Sequence, residues 1–208
     1  MSGTRVTGTC QLVLLVREPR PGRTKTRLGR EIGHTAAAWW ARHQTGRMIR
    51  RLGGDPRWRL VLAVSPDTAL RSPVWAHPHR VAQGRGDLGA RMARLFRRLP
   101  PGPLMIIGSD IPGIERRHIA RGFALLGRHE AVLGPSPDGG FWMIGLRRGA
   151  QAIPCTLFEG VRWSTAAACA DTAESLAPLS VGYADTLADV DTAEDLARFC
   201  PGWGAPRM

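Results

Sequence analysis

Residues 11–27 read QLVLLVREPRPGRTKTR, and this stretch decides the fold. Gln11–Val16 is a continuous apolar run without the polar alternation of a half-exposed strand, so it predicts a strand buried on both faces. Such a strand needs cover above and below, which a parallel sheet between two layers of helix provides. The run then meets Glu18, Pro19, Arg20, Pro21 and Gly22, where two prolines fix φ and remove backbone donors. Neither a strand nor a helix continues cleanly through that segment.

The rest of the chain repeats the alternation. Thr35–Leu52 has apolar residues at helical spacing (Ala38, Trp39, Met48, Ile49, Leu52) and stops at Gly53 and Gly54. Leu60–Ser65 predicts a second strand. Leu88–Leu99 predicts a helix with Leu88, Met92, Leu95, Phe96 and Leu99 on one face and arginines on the other. Leu104–Ile107 predicts a third strand, ending in Gly108-Ser109-Asp110. Glu115–Leu126 reads as a helix, and Ala131–Gly134 and Phe141–Leu146 as strands joined through Pro137-Asp138-Gly139-Gly140, a turn that implies one late antiparallel hairpin. A helix over Thr165–Leu176, a short strand over Ser180–Tyr183 and a terminal helix over Thr192–Phe199 complete the pattern. The expected fold class is α/β: three layers, a mainly parallel sheet with helices on both faces, and that hairpin.

A chain of 208 residues suits one domain and buries enough apolar surface to need neither disulfide nor structural metal. Cys10, Cys155, Cys169 and Cys200 lie far apart with no CxxC pair, and read as small buried apolar residues. No apolar run approaches the roughly 20 residues that span a bilayer. The stretch Leu12–Val16 is too short for a signal peptide and runs into Arg17, so the expected location is cytoplasmic.

The net charge is +12, but residues 1–100 carry 20 basic and 5 acidic side chains against 9 and 12 in residues 101–208. A basic first half and a mildly acidic second half suit an anion handled at one end and a cation at the other. Of 29 basic residues, Lys25 alone is lysine, inside Arg23-Thr24-Lys25-Thr26-Arg27. A compact ammonium is not equivalent to a planar guanidinium at a crowded phosphate, so a lysine kept among arginines marks this loop as chemical. Nucleic-acid binding is the competing explanation of the charge. No helix-turn-helix, RNP, KH or zinc-finger pattern accompanies it, and the arginines spread over many helices.

In an open α/β sheet, ligands gather beyond the carboxyl ends of the strands, and four segments fall there. In the loop Pro19–Arg27 the prolines and Gly22 fix an irregular backbone from which Arg20, Arg23, Lys25 and Arg27 point cations, a cradle for a pyrophosphate; a solvated basic loop is the plain alternative. Gly108-Ser109-Asp110 puts a carboxylate at the end of a buried strand, where a divalent cation bridging phosphates would compensate it; a helix cap is the alternative. In Asp189-Val190-Asp191-Thr192-Ala193-Glu194-Asp195, alternation places Asp189 and Asp191 on one face, able to complete a metal site with Asp110. The same run also resembles a capping box. In Gly134–Trp142 the glycines Gly139 and Gly140 permit close approach of a ligand, and Asp138 could orient an acceptor hydroxyl or act as base. Spacing alone describes that last segment as a hairpin turn. Two weaker segments remain: Gln83-Gly84-Arg85-Gly86-Asp87-Leu88-Gly89, a glycine-rich entry into a helix whose N-terminus suits an anion, and Phe158–Thr165, a candidate lid or acceptor wall containing Trp163.

Taken together, these segments resemble a bacterial GT-A family, the nucleotide-diphospho-sugar transferase-like proteins, some of which are linked to arsenosugar biosynthesis. The resemblance rests on Pro21-Gly22-Arg23-Thr24-Lys25-Thr26-Arg27-Leu28, residues 83–92, Gly108-Ser109-Asp110-Ile111-Pro112, residues 134–146 and residues 189–196, in family order across residues 12–199. The architecture is similar to that of the guanylyltransferases acting on molybdenum cofactor and on 2-phospholactate. The resemblance implies a single GT-A-like domain over 1–208, with a nucleotide-binding half (10–110) and an acceptor and metal half (111–200). It implies phosphate or nucleotide contacts from Gly22, Arg23, Lys25, Arg27, Gln83, Gly84 and Asp87. Mg2+ or Mn2+ would be held by Asp110, Asp189 and Asp191, Asp110 standing in for a DxD motif of which this chain keeps one acid. Catalytic roles would fall to Asp138 and Lys25, and acceptor contacts to Asp138, Gly139, Gly140 and Trp163. The implied reaction is sugar transfer from a nucleotide-diphosphate sugar to a small-molecule acceptor. Nucleotidyl transfer from an NTP with release of pyrophosphate uses nearly the same machinery.

Overall fold

The computed structural model describes residues 9–75, 77–148 and 153–203. Its centre is β1 (Gln11–Arg17), flanked in parallel by β2 (Arg59–Ser65) and β4 (Leu104–Ile107). Successive residues of β1 enter opposite cores: Leu12, Leu14 and Val16 pack into one apolar cluster and Val13 into another. Both faces are therefore covered, as the unbroken apolar run requires. On the first face lie Met48 and Leu52 of α2 (His34–Leu52) and Ile119 of α4 (Arg116–Leu125). On the second lie Met92, Leu95 and Phe96 of α3 (Leu88–Arg98) with Ala168 of α5 (Ala168–Ser175).

Among the described residues, seven strands form one sheet in the order β3-β2-β1-β4-β6-β5-β7. β3 is Arg80–Ala82, β5 Ala131–Pro135, β6 Phe141–Leu146 and β7 Val181–Tyr183. All pairs are parallel except those of β6, which runs antiparallel between β4 and β5 and forms the expected late hairpin with β5. Among the described residues, no helix is long and apolar enough to cross a membrane.

Four details depart from the sequence reading. Helix α1 (Thr26–Ile32) begins inside the segment read as a loop. With only Leu28 and Gly29 fully buried in its seven residues, it is too short to show a helical period. The three-residue β3 was not expected, because it has no apolar run and owes its pairing to β2. Helix α5 starts at Ala168 rather than Thr165, whose hydroxyl instead accepts from the Ala167 N–H in a preceding turn. The cysteines are not fully buried: Cys155 is exposed and the other three are half-buried. Cys10 and Cys200 sit just outside β1 and the last helix, where the chain leaves the core.

A third, smaller cluster positions the chemistry. Leu28 of α1, Ala37 and Trp40 of α2, Val190, and Leu196 of α6 (Ala193–Phe199) pack together. This ties the start of α1, just after the β1 loop, to the segment before α6, with Leu28 and Val190 lying 162 residues apart in sequence (190 − 28).

Candidate active site at the carboxyl edge of the sheet

A cavity of about 370 Å3 opens beyond the carboxyl ends of the strands. Its polar lining follows the sheet order. Gln83 after β3, Ser65 at the end of β2 and Arg17 at the end of β1 occupy one side, joined by Arg91 of α3. Ser109 and Asp110 after β4, Ser136 and Asp138 in the β5–β6 turn, and Asp189 occupy the other. Leu15, Leu88, Met92, Ile106 and Phe141 supply apolar wall between them. One side is thus cationic and the other acidic.

The acidic side is built from two distant segments. Val190 is fully buried, and its N–H donates to the Asp110 carbonyl (3.1 Å). That anchor turns the neighbouring Asp189 and Asp191 towards Asp110, and one carboxylate oxygen of each of the three lies within 4.8 Å of the others. The capping reading of the same run also holds, on other residues. Thr192 caps α6 by accepting from the Asp195 N–H (3.1 Å), while Asp195 accepts from the Asp191 and Thr192 N–H groups. Burial pushes the Asp189 carboxyl up from 3.8 to about 6, and the Asp110 and Asp191 charges add to the effect. Burial strips solvent from this carboxylate and the two neighbouring acids add repulsion, so its ionised form lacks compensating charge.

Lys25 supplies part of the missing charge. Its Nζ lies 2.7 Å from Asp110 Oδ2 and 2.6 Å from Asp191 Oδ1, and 5.9 Å from the centre of the Trp40 ring. Burial lowers the affinity of this ammonium for its proton, but the two carboxylates outweigh burial and its pKa is raised. Its backbone is left-handed (φ 48°, ψ 53°) at the start of α1. That conformation costs a non-glycine residue about 1 kcal/mol or more and persists where the surroundings enforce it. Arg27 reaches Asp191 from the rim at 3.3 Å with a largely exposed side chain. Lys25 and Asp110 are therefore in direct contact, so the pyrophosphate expected at the Pro19–Arg27 loop does not lie between them. The gap facing Asp110 is the cavity itself, and the cations across it are Arg17 and Arg91.

The other expected site residues divide. Asp138 lines the cavity and accepts from the Gly140 N–H (2.9 Å), which closes the hairpin turn. Gly140 lines it too, and Gly139 has φ +83° against the Ala166 backbone, leaving no room for a Cβ. Gln83 lines the cavity while its Nε2 donates to Val16 O and Ala63 O, stitching β1 to β2. Gly84 donates its N–H to Asp67 (3.0 Å), and Asp87 caps α3 by accepting from the Ala90 N–H (2.8 Å). Gly22, Arg23, Lys25, Arg27, Gly84, Asp87, Gly139, Asp191 and Trp163 are not among the cavity-lining residues, Lys25 and Asp191 standing beside the cavity through their contacts with Asp110. Trp163 stands behind the wall, packed on Phe141 and Phe158. The sequence reading missed Arg17, Ser65 and Arg91. The one available signal was that Arg91 follows Asp87 by four residues in a helix entering from a glycine-rich turn.

The donor set suits a hard divalent cation. Three carboxylates converge, one of them with a raised pKa, and magnesium and manganese take oxygen ligands of this kind.

The solved structures agree on the fold. A protein from Desulfovibrio desulfuricans G20, named provisionally as a nucleotide-diphospho-sugar transferase, is 29% identical. The alignment covers 91% of this chain and 85% of that one, with a TM-score of 0.82. Rv0371c of Mycobacterium tuberculosis H37Rv, solved in complex with manganese, is 19% identical over 92% and 98% of the two chains, with a TM-score of 0.51. The inositol-1-phosphate CTP transferase of T. maritima is 13% identical over 91% and 92%, with a TM-score of 0.52. At such identities the last two establish the shared fold alone. No curated protein matches the sequence. A family profile matches residues 48–165, more than half of the chain. The chain therefore belongs to DUF2064, a family described as an uncharacterized protein conserved in bacteria.

Proposed function

We propose that this protein is a cytoplasmic transferase that binds a nucleotide-diphosphate sugar with Mg2+ or Mn2+ and transfers the sugar to a small-molecule acceptor. The observation that carries the reading is the convergence of Asp110, Asp189 and Asp191 beside a cavity whose opposite wall bears Arg17 and Arg91. Both expected halves, 10–110 and 111–200, contribute to that lining. The likeness to the D. desulfuricans protein, at 29% identity, supports a nucleotide sugar as donor.

Held by the three carboxylates, a divalent cation would supply charge stabilisation for the diphosphate as it leaves. The chain's own residues do the remaining work. Lys25 spends two of its three donors on Asp110 and Asp191, which leaves one for a phosphate oxygen. Asp138, in the β5–β6 turn on the acceptor side, takes the proton of the attacking hydroxyl. The new bond joins the acceptor oxygen to the anomeric carbon, the bond from that carbon to the phosphate oxygen breaks, and the nucleoside diphosphate departs. Phe141 and Gly140 shape the wall that the sugar would meet, and the apolar surface of Leu15, Leu88 and Met92 helps keep bulk water from competing as acceptor.

Product analysis tests this. With MnCl2 and a panel of nucleotide sugars, the expected product is nucleoside diphosphate, and Asp138→Asn slows its formation about 100-fold or more. Pyrophosphate released from a nucleoside triphosphate, with no turnover of any nucleotide sugar, would overturn sugar transfer in favour of nucleotidyl transfer.

A further inference from the structure

Several arginines among the described residues are committed to holding the fold together. Arg148 is spent on the carbonyls of Phe96, Leu99, Pro100 and Gly102, and Arg94 on those of Gln83 and Arg85. Arg51 donates to the carbonyls of Pro112 and Ile114. These guanidinium groups fasten loops to helices and have little left to offer a ligand.

Arg91 is different. Its Nε donates to the Gly86 carbonyl (2.8 Å), and Nη1 reaches the Ser65 hydroxyl only at 3.5 Å. Nη2 has no acceptor among the described residues, and no carboxylate there pairs with the group. The Gly86 bond fixes the plane of the guanidinium and leaves its donors at the cavity wall. Arg17, on the same side of the cavity, likewise has no carboxylate partner among the described residues. A donor-only fork held in place, without an anion of its own, suits phosphoryl oxygens. The acids that would hold a metal lie on the far wall, so a phosphoryl group in the cavity would meet charge from both sides.

We propose that Arg91, assisted by Arg17, is the principal protein cation for a phosphoryl group of the substrate, ahead of the Pro19–Arg27 loop on which the sequence places that task and of which Lys25 keeps one donor. The assignment rests on the nucleotide reading of the site and adds to it the residue that grips the anion. It also gives the fixed Gly84-Arg85-Gly86 turn a role: the turn aims Arg91 through the Gly86 carbonyl and is itself pinned by Arg94.

The test is calorimetric titration of inorganic pyrophosphate, a nucleoside diphosphate and the matching nucleoside, each with MnCl2, into wild type, Arg91→Met, Arg91→Lys and Arg98→Met. Arg98, exposed in the last turn of α3, controls for loss of charge. The expected result is a loss of about 10- to 100-fold in affinity for both pyrophosphate and the diphosphate in Arg91→Met, as for a charge-assisted hydrogen bond. Arg91→Lys should fall between, and Arg98→Met should match wild type. Mn2+ binding without nucleotide, read from the paramagnetic signal of the free ion, stays within about twofold of wild type in Arg91→Met, which shows the site intact. Undiminished pyrophosphate binding in Arg91→Met overturns the assignment, including the case where only nucleoside affinity falls and Arg91 reads base or ribose. If wild type binds Mn2+ and nucleotide normally and Arg91→Met does the same, only this assignment fails. If wild type binds neither pyrophosphate nor any nucleotide, the functional reading fails with it.

Discussion

Replacing Asp189 by asparagine should make the protein more stable and less able to bind metal. In the fold the Asp189 carboxyl titrates at about 6 instead of 3.8, raised by burial and then by Asp110 and Asp191. A raised carboxyl opposes folding once both states are ionised. The penalty is absent below about pH 3.8, grows as pH rises, and is complete above about 6. A shift of about 2 units corresponds to at most about 3 kcal/mol. Because the group is only partly buried, solvent screening reduces this to about 1 kcal/mol. Asp189→Asn keeps the shape and removes the charge, so at pH 8 its Tm should rise by about 2–4 °C for a chain of this length. The gain should shrink steadily as pH is lowered from 6 towards 4. The same variant should lose about 10-fold or more in Mn2+ affinity, since one of the three carboxylates proposed to hold the ion becomes a neutral amide. Thermal unfolding across that pH range, with Mn2+ titration at pH 8, reads both effects. A variant that is equally or less stable at pH 8, or whose gain does not depend on pH, would refute the electrostatic argument.

Two further outcomes follow from the same contacts. Lys25→Met leaves Asp110 and Asp191 facing each other without their shared cation, and should lower Tm by about 3–6 °C, a loss of about 1–2 kcal/mol for a partly buried pair. Its nucleotide-free Mn2+ affinity should rise, because a competing positive charge has gone; weaker Mn2+ binding would show that Lys25 supports the metal site instead. Trp40→Ala empties the centre of the cluster that seats Leu28 and Val190, and should cost about 3–5 kcal/mol by chemical denaturation. Nucleotide-dependent stabilisation should weaken with it, and an unaltered response to nucleotide would mean that the cluster does not position the site.

Much of the fold was legible because β1, β2 and β4 are short apolar runs ended by turn residues, and burial on both faces leaves a simple pattern. What stayed hidden lacks such a pattern. β3 is three half-buried residues held by pairing with β2, and α1 is seven residues whose cover comes from α2 and α6. In the candidate site, the alternation of Asp189 and Asp191 around buried Val190 led to the pair of acids, and the solitary lysine led to Lys25. The relation between them was not legible: whether Lys25 faces the acids across a phosphate or touches them depends on how the left-handed turn at Lys25 meets the 189–191 segment. Arg91 was hidden for a related reason. Read along α3, it belongs to the arginine face opposite Met92 and Phe96, and only the Gly86 carbonyl, brought round by the preceding turn, turns it towards the cavity.

In the proposed function, Asp110, Asp189 and Asp191 hold a divalent cation that meets a nucleotide in the adjoining cavity. Anomalous diffraction from crystals grown with MnCl2 and a nucleoside diphosphate tests it directly. One strong manganese peak is expected about 2.1–2.3 Å from oxygens of at least two of these carboxylates and from a phosphate oxygen lying on the Arg91 side. Manganese bound elsewhere, or a nucleotide seated outside this cavity, would contradict it.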